Sequence, residues 1–239
     1  MMTMSLAPAT LPVGQRVYAI GDVHGCADRL DAVHALIAGD LAARPVAEAT
    51  VVHLGDYIDR GEDSAGVVAR LVRGCWPDPR PRVVNLLGNH EDMMLAALDS
   101  GDADSIEHWL ANGGAHSLAS WSIAPGTPPA EWRRRIPPEQ IALLRGLAVF
   151  HRQGGYVFVH AGLRPGRPMA RQTRDDMLWI REPFLSSRAA FPGVVVHGHT
   201  PQRTPSVWPH RIGIDTGAVM GGVLTCAVLE GDRLGFLHA

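Results

Sequence analysis

Five short stretches of this chain put oxygen- and nitrogen-donor side chains next to glycine, each directly after an apolar run. Asp22 and His24 stand in GDVHG at 21–25; Asp56, Asp59 and Arg60 stand in GDYIDRG at 55–61. Asn89, His90 and Glu91 follow Gly88, His160 opens HAG at 160–162, and His197 and His199 share HGHT at 197–200. Any one such loop has a structural explanation, since Asp or Asn beside Gly after a strand makes turns and helix caps. Five loops that all supply ligand chemistry point instead to a joint site. Two Asp, one Asn and several neutral imidazoles form an oxygen and nitrogen set suited to Mn, Fe or Zn, without the thiolates of a structural sulfur site. A carboxylate such as Asp56 can bridge two ions, and two ions roughly 3.5–4 Å apart can activate a shared water and clamp a phosphoryl group.

These residues converge only if the apolar runs before them are neighbouring strands, because ligands collect at strand carboxyl ends in α/β sheets. β-rich runs occur at 17–20, 50–54, 83–87, 156–160 and 194–197, then at 212–215, 224–229 and 234–238. Early βαβ alternation followed by closely spaced strands predicts a layered α/β architecture. Leu30, Val33 and Ile37 mark one face of a helix running from about residue 28 into the region of Leu36, and His34 beside that stripe reads as structural or surface. A second helix starts at Asp63 or Ser64, packs Val67, Val68, Leu71 and Val72, and stops at Gly74. A third begins near Glu91, with Met93, Met94, Leu95 and Leu98 as its apolar residues and the Met pair as core filler. Between 101 and 146 Trp109, Trp121 and Trp132 appear among prolines and the strand pattern lapses, which predicts a small helical cap insertion. Its tryptophans fit scaffold packing and a ligand wall equally, and Arg133 to Arg135 read as a solvated face.

The 239 residues, 46% hydrophobic and 19% charged, have an ordinary globular composition and are read as one domain over 1–239, with 1–13 a short frayed lead-in. A net charge of -2 gives no basic field for nucleic acid. All 22 basic residues are Arg, which excludes a P-loop lysine and Schiff-base chemistry and leaves guanidinium as the phosphate clamp. Cys26, Cys75 and Cys226 are too scattered for a disulfide framework or thiolate site and fit a reducing cytoplasm; Cys26 reads as a small buried residue rather than a nucleophile. No segment reaches the roughly 18 apolar residues that span a bilayer, so no membrane association is expected.

With these loops the sequence resembles the metallophosphoesterases, in particular the phosphoprotein phosphatase family with its bacterial and phage members. The likeness runs from residue 21 to 200 and continues in IDTGAV at 214–219. It implies a β-sandwich flanked by helices with a dinuclear centre at one edge, binding two divalent ions, with Mn first and Fe or Zn as alternatives. By position, Asp22 and His24 hold one ion, Asn89, His160 and His199 the other, and Asp56 bridges. His90 resembles the family's general acid and Asp59 the carboxylate that orients it. Arg60 and Arg181 resemble phosphate clamps, with Arg164 a weaker candidate. His199 rather than His197 is taken as ligand because the family's ligand stands in the Gly-His-Thr unit, and His197 then supports or packs. Asp215 reads as a turn former with Thr216 and Gly217.

The resulting expectation is hydrolysis of a phosphomonoester, first a phosphoserine or phosphothreonine protein, on the strength of the loops GDYIDRG and GNHED. The alternative within the same chemistry is symmetrical hydrolysis of a dinucleoside polyphosphate such as diadenosine tetraphosphate. A noncatalytic binding protein on the same fold would have lost a ligand or the proton donor, and every mapped position carries a competent residue.

Overall fold

The computed structural model describes residues 2–74, 76 and 81–239, so Cys75 lies outside the described residues. In chain order the elements are β1 (Ser5–Leu6), β2 (Gln15–Ile20), α1 (Ala27–Ala43), β3 (Glu48–His53), α2 (Ser64–Arg73), β4 (Arg82–Asn85) and α3 (Asn89–Ser100). Next come α4 (Ala103–Trp109), a kinked link at Leu110–Gly114 where Gly113 leaves the helical conformation, α5 (Ala115–Ser120), α6 (Pro129–Arg135) and α7 (Pro138–Arg145). The remainder is β5 (Phe150–Gln153), β6 (Tyr156–Val159), α8 (Arg174–Trp179), β7 (Val194–His197), β8 (Ser206–Trp208), β9 (Arg211–Gly213), β10 (Thr225–Glu230) and β11 (Arg233–His238).

Two sheets form, ordered β1-β11-β10-β2-β3-β4 and β5-β6-β7-β9-β8. Because successive strand residues face opposite sides, each strand feeds two apolar layers. Val17, Ala19, Val52 and Leu54 from one sheet meet Tyr156, Phe158, Val196 and Ile212 from the other in a buried core between them. Tyr18, Ile20 and Val51 turn the other way, onto Leu30, Val33 and Ile37 of α1 and Val67 and Val68 of α2. Val157, Val159 and Val195 cover the outer face of the second sheet with Met177 of α8, Ile180 and Phe184. The layered sandwich flanked by helices is therefore present, and α4 to α7 form the predicted helical insertion, with α5 and α7 against α2 and α4 and α6 against α3. Among the described residues no helix is long and apolar enough to cross a membrane.

Several expectations need correction. The expected frayed lead-in at 1–13 is held in place over residues 5–11: β1 pairs with β11, Leu11 is buried in the inter-sheet core, and the Tyr156 hydroxyl donates to the Ala9 carbonyl at 2.6 Å. Its anchors, Tyr156 and β11, lie far along the chain, beyond the reach of local patterning. The first helix runs on to Ala43. Val72 is exposed rather than packed, because the second helix turns it off the Val67, Val68 and Leu71 stripe. Asp63 does cap that helix, accepting from the Gly66 N–H at 2.8 Å, and Gly74 closes it in the left-handed conformation. Strands β5 and β8 went unrecognised because both are short sheet edges, β5 mostly polar and β8 only three residues long with its Val207 and Trp208 exposed.

Candidate active site

Strands β2, β3 and β4 are mutually parallel, as are β6, β7 and β9, so the loops after β2, β3, β4, β6 and β7 leave their sheets at carboxyl ends. Backbone strain concentrates there. His24, Asp56, Asp59, Arg60 and His199 all have positive φ, from 44° to 72°, and the other described non-glycine residue in this region is Ser122. Such conformations persist where the surroundings over-determine them, and they cluster at functional sites. Two loop glycines are required by close approach: a Cβ on Gly61 would stand 2.0 Å from the His24 carbonyl, and one on Gly198 would stand 1.9 Å from Asp22 Oδ1.

The side chains assemble around Asp56. Its Oδ1 accepts the His90 backbone N–H at 3.1 Å, at the start of α3. Its Oδ2 lies 3.4 Å from His24 Nε2, 3.4 Å from His160 Nε2 and 4.0 Å from His90 Nε2. Two groups able to hold a cation therefore share this carboxylate: His24, Asp56 and His90, and Asp56, His160 and His199, with donor atoms within 4.8 Å of one another in each. Asn89 joins the second group, its Oδ1 lying 2.9 Å from both His160 Nε2 and His199 Nδ1. Asp22 sits alongside; its Oδ2 accepts the His199 N–H at 2.9 Å while its Oδ1 is buried without a partner among the described residues. His199 Nε2 is likewise orphaned.

Hydrogen bonds set the imidazole tautomers. His24 Nδ1 donates to the Ile58 carbonyl at 2.8 Å and His160 Nδ1 to the Leu54 carbonyl at 2.9 Å, which turns both Nε2 atoms toward Asp56. Burial lowers His24 to about 3, only partly opposed by Asp56, and burial with the neighbouring His160 lowers His199 to about 3, so both imidazoles are neutral. His160 goes the other way: burial opposes its charge, but Asp56, Asp22 and Glu91 outweigh that and raise it to about 10. Burial and the charge of Asp215 hold the Asp22 carboxyl well above the usual carboxylate range. Asp56 is driven well below it, because His160 and His90 overcome the burial cost. The neutral imidazoles of His24 and His199, a His160 held protonated only by the surrounding carboxylates, and buried unpartnered acceptors make a donor set suited to a divalent cation, whose charge would take the place of that proton. The residues fit a metal centre.

Beside it, His90 Nδ1 donates to Asp59 Oδ2 at 2.7 Å. Burial depresses His90, yet Asp56 and Asp59 more than compensate, so its affinity for a proton is raised. Arg60 is exposed, and its Nη1 donates to His24 Nε2 at 3.1 Å. Arg181 is exposed and close enough for its charge to depress His199. Arg164 is engaged elsewhere, in a two-point ion pair with Asp176. His197 stays out of both ligand groups, packed edge-on to Phe184 at 5.0 Å with Nδ1 donating to the Gly198 carbonyl. Asp215 forms the expected turn, accepting from the Gly217 N–H at 3.0 Å, and is also buried near the carboxylates of the site. Cys26 is half-buried, not buried.

Three contributions were missed from sequence. The Glu91 carboxylate accepts four backbone N–H groups, from Asp56, Tyr57, Ile58 and Gly88, and so shapes the loop that carries Asp56. Trp109 Nε1 and Ser117 Oγ, both from the helical insertion, donate to Asp59. The available signal was the Gly113-Gly114 pair inside a helical stretch, where glycine is unfavourable without a packing reason. Gly113 has φ 105° against the Arg60 backbone, and a Cβ on Gly114 would meet the Trp109 ring at 2.7 Å. All three tryptophans of the insertion are buried, so they pack rather than line an open ligand wall.

Comparison with known proteins places this geometry. The sequence profile described as calcineurin-like phosphoesterase matches residues 15–219. Serine/threonine-protein phosphatase 1 of Salmonella typhimurium is 30% identical over 236 residues, covering 90% of this chain and 93% of its own. The asymmetrical bis(5'-nucleosyl)-tetraphosphatase PrpE of Bacillus subtilis is 30% identical, covering 86% and 87%. A crystal structure of a candidate diadenosine tetraphosphatase superposes with a TM-score of 0.67 at 26% identity, over 97% of this chain and 98% of that one.

Proposed function

Because this chain belongs to the calcineurin-like phosphoesterase family, whose fold implies divalent metals, we propose that it hydrolyses phosphomonoesters, with phosphoserine or phosphothreonine in proteins as the substrate class. The observation that carries the hydrolytic reading is Asp56 Oδ2 shared between His24 on one side and His160 on the other, with His90, which also comes within donor range of Asp56, tied instead through Nδ1 to Asp59. Asp22 and His24 would hold one ion, Asn89, His160 and His199 the other, and Asp56 both. Divalent ions bound there supply a water-derived nucleophile at neutral pH and draw electron density from the phosphoryl oxygens; Mn is the expected activator, with Fe or Zn as alternatives.

The chain's own groups do the rest. Arg60, exposed at the rim, presents a guanidinium fork to the phosphoryl oxygens, and Arg181 adds a second cation on the His199 side. With Nδ1 committed to Asp59, His90 has Nε2 as its free nitrogen, and a proton there passes to the departing alkoxide oxygen. Asp59 fixes the ring and favours the imidazolium that must give up that proton.

The protein-phosphatase reading is supported by the near full-length match to a serine/threonine phosphatase and by the loops GDYIDRG and GNHED. A second reading, cleavage of a dinucleoside tetraphosphate, is favoured by relatives of that description that match over most of their length. The test is kcat/KM of metal-stripped, Mn-restored protein on a phosphothreonine peptide and on diadenosine tetraphosphate, with Asp56→Asn as control. Preference for the peptide is the expected result. Preference for the dinucleotide overturns it, and the products then separate symmetrical cleavage, giving two nucleoside diphosphates, from asymmetrical cleavage, giving a triphosphate and a monophosphate.

A further inference from the structure

We propose that the helical insertion aims the proton donor: Trp109 and Ser117 are positioning residues that lock the Asp59 carboxylate and, through it, the His90 ring. This rests on His90 being the general acid. Asp59 is fully buried, so its oxygens must be satisfied by protein donors. His90 supplies one. The Trp109 indole N–H is shared between Oδ1 at 3.1 Å and Oδ2 at 3.0 Å, and the Ser117 hydroxyl donates to Oδ1 at 2.6 Å. Ser117 Oγ also accepts the Asp59 backbone N–H at 2.8 Å and lies 3.0 Å from Ser64 Oγ, which ties the backbone of the same residue. The two side-chain donors come from α4 and α5, while Asp59 comes from the loop after β3, so the carboxylate is gripped across two separate parts of the chain.

The grip is itself supported. Trp109 is completely buried, lies over Gly114 where no larger residue fits, and meets Trp132 edge-on with ring centroids 5.7 Å apart. An indole held this way offers its N–H in one direction. Removing either donor leaves the His90–Asp59 bond possible but frees the carboxylate to turn, and the imidazole with it. Transfer to a departing oxygen needs that ring in place, whereas a leaving group that departs unaided does not. The insertion therefore contributes to the chemistry of the site without touching substrate.

The experiment measures kcat and KM of the Mn-restored full chain on phosphomonoesters ranging from an activated nitrophenol to an unactivated alcohol, for wild type, Trp109→Phe, Ser117→Ala, Asp59→Asn and His90→Ala. Trp109→Phe keeps the ring and removes the N–H. Each single loss should lower kcat on the alkyl ester about tenfold, the scale of one hydrogen bond to a charged group, with KM and the nitrophenyl rate within about twofold. Combined with Asp59→Asn, neither should cost more. In metal-free protein the Trp109 indole proton resonance should shift, and its exchange with solvent quicken, when Asp59 becomes Asn. If His90→Ala loses equally on all esters, the general-acid reading falls. If His90→Ala and Asp59→Asn show the leaving-group dependence while Ser117→Ala and Trp109→Phe do not, or if the indole resonance ignores Asp59→Asn, the positioning inference falls by itself. Should Trp109→Phe fail to fold, Ser117→Ala and the indole resonance decide.

Discussion

Glu91→Gln should destabilise this protein far more than its conservative chemistry suggests. Glu91 is fully buried, with Oε1 accepting the N–H groups of Tyr57 at 2.7 Å and Ile58 at 3.2 Å, and Oε2 those of Asp56 and Gly88 at 2.9 Å each. Four donors need an acceptor-only carboxylate, whereas a glutamine amide keeps one accepting oxygen and turns an NH2 onto two N–H groups. Each buried donor left unpaired costs about 1–3 kcal/mol, so two of them cost about 2–6 kcal/mol, of which about 3 kcal/mol is a conservative figure. At the roughly 2–4 °C per kcal/mol of a chain this size, that is about 6–12 °C in Tm. Burial, then the charge of Asp56, raise the Glu91 carboxyl to about 7, so above that pH the buried charge costs stability that Gln does not and offsets part of this loss; the comparison belongs at pH 8, where the carboxylate is ionised and accepts all four N–H groups. The assay is thermal unfolding of metal-free wild type, Glu91→Gln and the exposed control Glu139→Gln, which should stay within about 0.5 kcal/mol. A metal titration should show weaker uptake by Glu91→Gln, because the loop carrying Asp56 has lost its anchor. If Glu91→Gln melts with the control and binds metal as wild type does, the reasoning is wrong.

Asp56→Asn should lower occupancy of both metal positions, read as metal per chain after dialysis; two metals retained would remove it as the bridge. Arg60→Ala should cut kcat/KM about 10- to 100-fold while leaving metal content unchanged, and an unaltered kcat/KM would take Arg60 off the phosphate. Away from the site, His34 Nε2 and His53 Nε2 lie 2.9 Å apart, and burial lowers these residues to about 4 and about 3. Below the ordinary histidine value the unfolded chain then binds more protons than the folded one, so their contribution is present above pH 6.5 and is lost as pH falls toward 4. Melting of metal-free protein across that range should show a steeper acid loss for wild type than for His34→Gln, and parallel curves would exclude the pair as its source.

The sequence alone supplied the candidate donor loops and the layered α/β alternation. Donor types, their place after apolar runs and the glycines around them are local properties, and the alternation of strands and helices follows from periodicity, so the donor loops and a layered α/β fold were legible before any coordinates; the β-sandwich and the assignment of Asp22, His24, Asp56, Asn89, His90, His160 and His199 came from the resemblance to the metallophosphoesterases. Even the choice of His199 over His197 came from a short motif, and the structure brings His199 into the second ligand group. What the tertiary structure decided depends on pairs distant in the chain. The lead-in is pinned by strands near the other end of the sequence. The insertion between 101 and 146, whose tryptophans had two equal readings, turns out to supply donors to Asp59 from 50 and 58 residues away. Glu91 sits inside a motif that names it but does not say which four N–H groups it collects. A residue type declares what bonds it can make; which partner it finds depends on packing, and packing is set by the whole chain at once.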